Sequence, residues 1–89
     1  MKPYRIKHIP TGLYYKPSNG LSNLSTKGKV YLTNSSGWLK DGVGLHCTVK
    51  KESSIIKRYG EQLSKNKRGE DYKNIYYFLP SNELLKEEL

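Results

Sequence analysis

Residues 4–17 read YRIKHIPTGLYYKP, and this run constrains the fold more than any other. Tyr4, Ile6 and His8 alternate with Arg5, Lys7 and Ile9. Strand side chains point to opposite faces with period two, so Tyr4 and Ile6 are expected in the core and Arg5 and Lys7 in solvent. Pro10-Thr11-Gly12 is turn chemistry, because proline fixes φ and glycine admits positive φ. Residues 13–16 then read as the returning strand, closed by Pro17. A hairpin this early commits the chain to antiparallel pairing.

The rest of the chain extends that pattern. Residues 18–27 form a polar loop with Leu21 and Leu24 embedded, and residues 29–33 predict a third strand with Val30 and Leu32 turned inward. Residues 34–37 predict a turn. Asp41-Gly42 after Trp38-Leu39 is a hairpin signal. Residues 43–50 predict the clearest strand, with Val43, Leu45, Cys47 and Val49 on one face and Gly44, His46, Thr48 and Lys50 on the other.

Ser53 or Ser54 is expected to cap a helix. Ile55, Ile56, Tyr59 and Leu63 lie on one stripe at helical spacing, and Gly60 weakens the middle by roughly 1 kcal/mol relative to alanine. Residues 66–71 read as a charged loop. Residues 72–79 are apolar at Ile75, Tyr76, Tyr77, Phe78 and Leu79, which predicts a central strand covered on both faces. Pro80 ends it, and residues 83–89 read as a short helix or an extended edge. The fold class expected is α+β: a small, curved, mostly antiparallel sheet of about five strands, one packed helix and a short C-terminal segment.

Eighty-nine residues make a single domain spanning 1–89, and a chain this short buries roughly 60–65% of its unfolded surface. Only 35% of residues are hydrophobic, and eight are tyrosines, so the core is thin in aliphatic side chains. A homodimer is one way such a chain adds buried area. The single cysteine, Cys47, excludes an intramolecular disulfide and fits a reducing, cytoplasmic setting. No apolar run approaches membrane-spanning length, so no membrane partner is expected.

The net charge of +8 is segregated along the chain. Residues 1–51 hold nine Lys/Arg against one acid, whereas residues 70–89 hold two lysines against five acids. A field of that kind attracts phosphates or an acidic protein surface.

Catalytic constellations are sparse. His46 and Cys47 are neighbours on a predicted strand, so they face opposite ways and cannot form a dyad. No histidine cluster or cysteine pair reads as a metal site, no phosphate-binding glycine motif occurs, and no cofactor is implied. The remaining enzyme hypothesis is a small ribonuclease using His46 or His8 as acid or base, with Lys and Arg on the phosphate.

Basic residues interleaved with tyrosines are the stronger signal. Arg5, Lys7, Lys16, Lys27 and Lys29 flank Tyr14, Tyr15 and Tyr31. Lys50 ends the fourth strand, Lys57 and Arg58 lie on the helix, and Lys67 and Arg68 follow it. Cations supply the salt-dependent phosphate contact, and base–tyrosine stacking contributes roughly 1–3 kcal/mol per base. Tyr4, Tyr59, Tyr72 and Tyr77 are expected in or beside the core. Only one of Tyr14 and Tyr15 can face inward, leaving the other as a stacking platform.

At YRIKHIPTGLYYKP followed by NLSTKGKVYLT the chain resembles small proteins of tailed bacteriophages that share this N-terminal half. The resemblance covers roughly residues 3–33, with no motif matched beyond it. It implies an early host-interaction product. Small basic phage proteins of this kind include an RNA-binding inhibitor of the ToxN ribonuclease toxin, an analogy of size, charge and origin that transfers no residues. The function expected is therefore non-enzymatic nucleic-acid binding, RNA ahead of DNA, in a counter-defence or host-takeover role. The competing reading is a protein-binding inhibitor that masks an acidic or nucleic-acid-binding surface of a host enzyme.

Overall fold

The chain folds in the order β1 (Tyr4–His8), β2 (Leu13–Tyr15), β3 (Leu24–Ser25), β4 (Gly44–Lys50), α1 (Ser54–Ser64), β5 (Lys67–Glu70), β6 (Asn74–Pro80) and β7 (Leu84–Glu88) in a computed structural model. The structure describes residues 2–17, 22–32 and 43–89. Leu21, the turn at 34–37, and the hairpin signal at Asp41-Gly42 with Trp38-Leu39 lie outside the described residues.

The first hairpin forms as its turn chemistry requires. His8 stands opposite Leu13, Gly12 takes φ +73°, and its N–H donates to the His8 carbonyl at 2.8 Å. β3 joins the far side of β2, and β7 joins the far side of β1, giving a four-stranded antiparallel sheet in the order β3-β2-β1-β7. The second sheet, also antiparallel, runs β4-β6-β5. The α+β class, the antiparallel pairing and the single helix are as expected. The described strands number seven and divide between two sheets, rather than about five in one.

Three local expectations change. Residues 29–32 form no strand; Tyr31 makes one bridge to Tyr4, and Val30 and Leu32 are exposed. A lone bridge leaves no neighbouring strand to cover them. The charged segment after the helix is an edge strand, β5, with a bulge between Lys67 and Gly69. Val43 and Tyr72 are exposed, since both lie just outside the paired strands. Of the two readings of the C-terminal segment, the extended edge is the one that forms, entered through a 3-10 turn at Ser81–Glu83.

Helix α1 starts where Ser53 accepts the Ile55 N–H on its hydroxyl at 3.2 Å. Its apolar stripe faces inward: Ile55, Ile56 and Tyr59 are half-buried and Leu63 is fully buried. One cluster joins Leu63 to Tyr4, Ile6, Leu13, Leu24 and Leu84 from the first sheet and to Cys47, Val49, Tyr77 and Leu79 from the second. Each fully buried aliphatic side chain contributes about 1.5–3 kcal/mol. Gly28 sits at φ +65°, where any Cβ would overlap the Tyr14 side chain, so only glycine fits between the two strands.

Two polar contacts fix how the sheets meet. Asn23 acts as a strand residue in miniature. Its N–H donates to the Thr48 carbonyl at 2.9 Å, and its Oδ1 accepts the Thr48 N–H at 2.7 Å. His8 is the other tie. It is fully buried, with Nδ1 2.9 Å from Thr11 Oγ1 and Nε2 3.2 Å from Glu83 Oε1. The carboxylate can only accept, so Nε2 carries the proton and Nδ1 accepts from the Thr11 hydroxyl in the neutral ring. Glu83 also accepts from Asn66 Nδ2 at 3.0 Å, and the Asn66 carbonyl accepts the Phe78 N–H. Thus the end of β1, the C-terminal turn and the second sheet share one network.

Burial pushes the His8 pKa below its ordinary value, with the Glu83 bond acting against the shift. Below about pH 6.5 the unfolded chain takes up a proton that the folded chain resists, so stability is full above that pH and falls as pH drops. The urea midpoint is therefore expected to fall between pH 7.5 and pH 5. His8→Ala should cost about 1–3 kcal/mol through the stranded Thr11 and Glu83 groups and flatten that pH dependence. Equal midpoints at both pH values would contradict this role for His8.

Candidate nucleic-acid interface

The basic residues singled out in the sequence fall into three places. The first is the outer face of the first sheet, where Arg5, Lys7 and Tyr14 meet. The β1–β7 register sets Glu87 opposite Arg5, and this acidic residue organises the group. Glu87 Oε1 accepts from Arg5 Nη2 at 3.1 Å and from the Tyr14 hydroxyl at 2.7 Å; Oε2 lies 4.0 Å from Lys7 Nζ. The Arg5 guanidinium also covers the Tyr14 ring at 4.0 Å. The Tyr14 hydroxyl, together with the Arg5 and Lys7 cations, holds the Glu87 carboxyl below its ordinary pKa. Glu87 therefore offsets part of the charge of Arg5 and Lys7.

Tyr15, next along β2, turns inward and packs against the core, and burial raises its hydroxyl pKa. Tyr14 is the outward one of the pair, and Arg5 covers one face of its ring. Tyr31 stacks on Tyr4 at 5.7 Å and has Lys29 Nζ 5.3 Å from its ring. Lys27 is exposed and lends its carbonyl to Arg5, while Lys16 is tied to Asn23 through its backbone.

The second place is a cleft of about 680 Å³ between the β2–β3 hairpin and α1. Lys57 and Arg58 line it with Leu13, Leu24, Thr26 and Tyr59. Neither cation has a carboxylate partner among the described residues.

The third place is the outer face of the second sheet. Strand β6 is central in its sheet but covered on one face only. Ile75, Tyr77 and Leu79 face the core, while Tyr76 is 38% exposed and Phe78 half-buried on the other side. Register aligns His46 with Phe78, Thr48 with Tyr76 and Lys50 with Asn74. The bulge in β5 frees Arg68 from regular pairing, and bulges of this kind re-aim a side chain. Its Nη1 donates to His46 Nδ1 at 2.8 Å, and the His46 ring tilts against Phe78 at 5.1 Å. A hollow of about 490 Å³ lies among His46, Thr48, Arg68, Gly69 and Tyr76. Lys50 is exposed beyond it. Lys67, by contrast, is paired with Glu70 at 2.8 Å, and Lys51 reaches the same carboxylate at 2.5 Å. Two cations on one carboxylate depress the Glu70 pKa to about 2.

Cys47 is buried and its thiol is pushed up to about 12 by that burial, far from a nucleophilic thiolate. His8 is enclosed in the fold. His46 is exposed, but its Nδ1 lone pair is occupied by Arg68. No group of three or more metal-ligating side chains occurs among the described residues, and no described helix is long and apolar enough to cross a membrane.

Sequence reasoning passed over Tyr76, Phe78 and His46 as interface residues. The signal was present: period-two alternation along 74–80 sets Tyr76 and Phe78 opposite Tyr77 and Leu79. The apolar run masked it. No family model, curated protein or solved structure matches the chain. Function is therefore read from the geometry.

Removing the Glu87 charge is expected to release Arg5 and Lys7. Glu87→Gln should elute from heparin at higher salt than Glu61→Gln, which changes net charge equally at an exposed helix position without such a cluster. Equal elution of the two variants would show that Glu87 does not mask the first sheet's cations.

Proposed function

We propose that this is a non-enzymatic nucleic-acid-binding protein, with RNA as the favoured ligand, and that it binds through the outer face of β4-β6-β5. The observation that carries this reading is the combination on that face: Arg68 and Lys50 beside Tyr76, Phe78 and His46 on a sheet whose reverse side is core. Cations meet phosphates there, and aromatic rings meet bases. RNA is favoured because its loops and ends offer unpaired bases for stacking. His46 lies at the exposed surface with its ring against Phe78 and its Nδ1 held by Arg68.

The phage resemblance gives this binding a setting. The protein would act in the cytoplasm of an infected bacterium as a counter-defence or host-takeover factor, with a host ribonuclease toxin as the candidate antagonist.

A fluorescent single-stranded RNA titrated across a salt series tests the reading. The expected result is a steep negative log–log slope, reduced by about 1 in Arg68→Glu, with affinity at least about tenfold weaker at low salt. Lys27→Glu combined with Lys29→Glu should leave more binding than Arg68→Glu does. Absence of RNA binding at low salt would sink the proposal and favour the protein-masking inhibitor.

A further inference from the structure

Beyond the end of β6 the same face continues into a second aromatic site. Tyr72 is 85% exposed, the most exposed large hydrophobic side chain among the described residues. It lines a hollow of about 470 Å³ with Lys50, Lys51, Lys73 and Glu52. Lys50 is the last outer-face residue of β4, so this hollow adjoins the sheet face. Lys51 is engaged by Glu70 and Glu52 is the acid of the rim, which leaves Lys50 and Lys73 without carboxylate partners among the described residues.

At that exposure the Tyr72 ring gains little packing within the described residues. The backbone around it is not loose. Asp71 accepts the Tyr72 N–H on Oδ1 and the Tyr76 hydroxyl on Oδ2 at 3.0 Å. The Asp71 N–H in turn donates to the Asn74 carbonyl at 2.8 Å. The Asp71 carboxylate thus holds the Tyr76 hydroxyl to the turn that carries Tyr72. Outer-face positions on β6 recur every second residue, roughly 7 Å apart, at Phe78, Tyr76 and Asn74, and Tyr72 lies beyond them in the β5–β6 turn, beside Lys50.

We propose that this row is a track for about four nucleotides of an unpaired strand, with bases stacking on Phe78–His46, Tyr76 and Tyr72 and phosphates held by Arg68, Lys50 and Lys73. The inference rests on the reading of the second sheet as the RNA face and assigns its ligand class. Ring faces can only meet bases whose own faces are open, which a duplex does not offer. Asn74, between the second and third platforms, supplies an amide for a base edge or a 2′-hydroxyl. Asp71 is a positioning residue: it touches no base and aligns two that do.

The test is fluorescence anisotropy with labelled tetra-uridine and with a blunt RNA duplex, on the full chain. The tetramer is expected to bind more tightly than the duplex at equal phosphate concentration. Tyr72→Ala should weaken the tetramer about tenfold, and Tyr72→Phe should retain it. Because Tyr72 is solvent-exposed, its substitution leaves the core untouched, and circular dichroism checks that. Unchanged tetramer affinity in Tyr72→Ala, or duplex binding as tight as tetramer binding, would overturn the track. If Arg68→Glu still abolishes binding in that case, the RNA face survives and only the track falls. If both variants bind like the parent, both readings fall.

Discussion

The placement of the C-terminal strand against the first is the constraint on which the remaining architecture depends. Five residue pairs align β7 with β1, from Tyr4 opposite Glu88 to His8 opposite Leu84. That register delivers Glu83 to the buried His8 ring and Glu87 to the Arg5–Lys7–Tyr14 group. It also brings Leu84 into the shared core. One strand pairing therefore closes the first sheet, ties it to the second and sets the charge of an entire face.

Charges that are segregated along the chain are intermixed in space. Every acid of the last twenty residues has a partner. Glu70 holds Lys51 and Lys67, Asp71 holds Tyr76, Glu83 holds His8 and Asn66, Glu87 holds Arg5 and Tyr14, and Glu88 lies 4.0 Å from Lys2. Exposed pairs of this sort add little stability, roughly 0–1 kcal/mol each. Their larger effect is on the surface potential. They offset part of the charge on the first sheet's outer face and leave Arg68, Lys50 and Lys73 without carboxylate partners among the described residues.

Much of the fold was legible where a residue pattern had a direct physical consequence. The Pro-Thr-Gly turn, the alternation through Cys47 and Val49, and the Ser53 cap with its Ile55–Leu63 stripe all emerge as read. Where an element depends on a distant partner, the sequence is silent. Lys67–Glu70 is a strand only because β6 pairs with it, and its composition reads as a loop. Val30 and Leu32 alternate like core residues but flank a single bridge, Tyr31 to Tyr4, and are exposed. The proposed site was half legible. Lys50 and Arg68 were named for their charge, but Tyr76 and Phe78 were read as buried because their run is apolar throughout. Arg5, Lys7 and Tyr14 looked like the interface because the strand carrying Glu87 lies some eighty positions away in sequence.

The central claim is that the second sheet, and not the first, presents the nucleic-acid surface. Amide chemical-shift mapping during titration with a short single-stranded RNA tests it most directly. The expected perturbations fall on His46, Thr48 and Lys50, on Arg68 and Gly69, and on the 72–78 stretch, with β1 and β2 largely unmoved. Perturbations centred instead on Arg5, Lys7 and Tyr14, with His46 and Tyr76 unmoved, would contradict it.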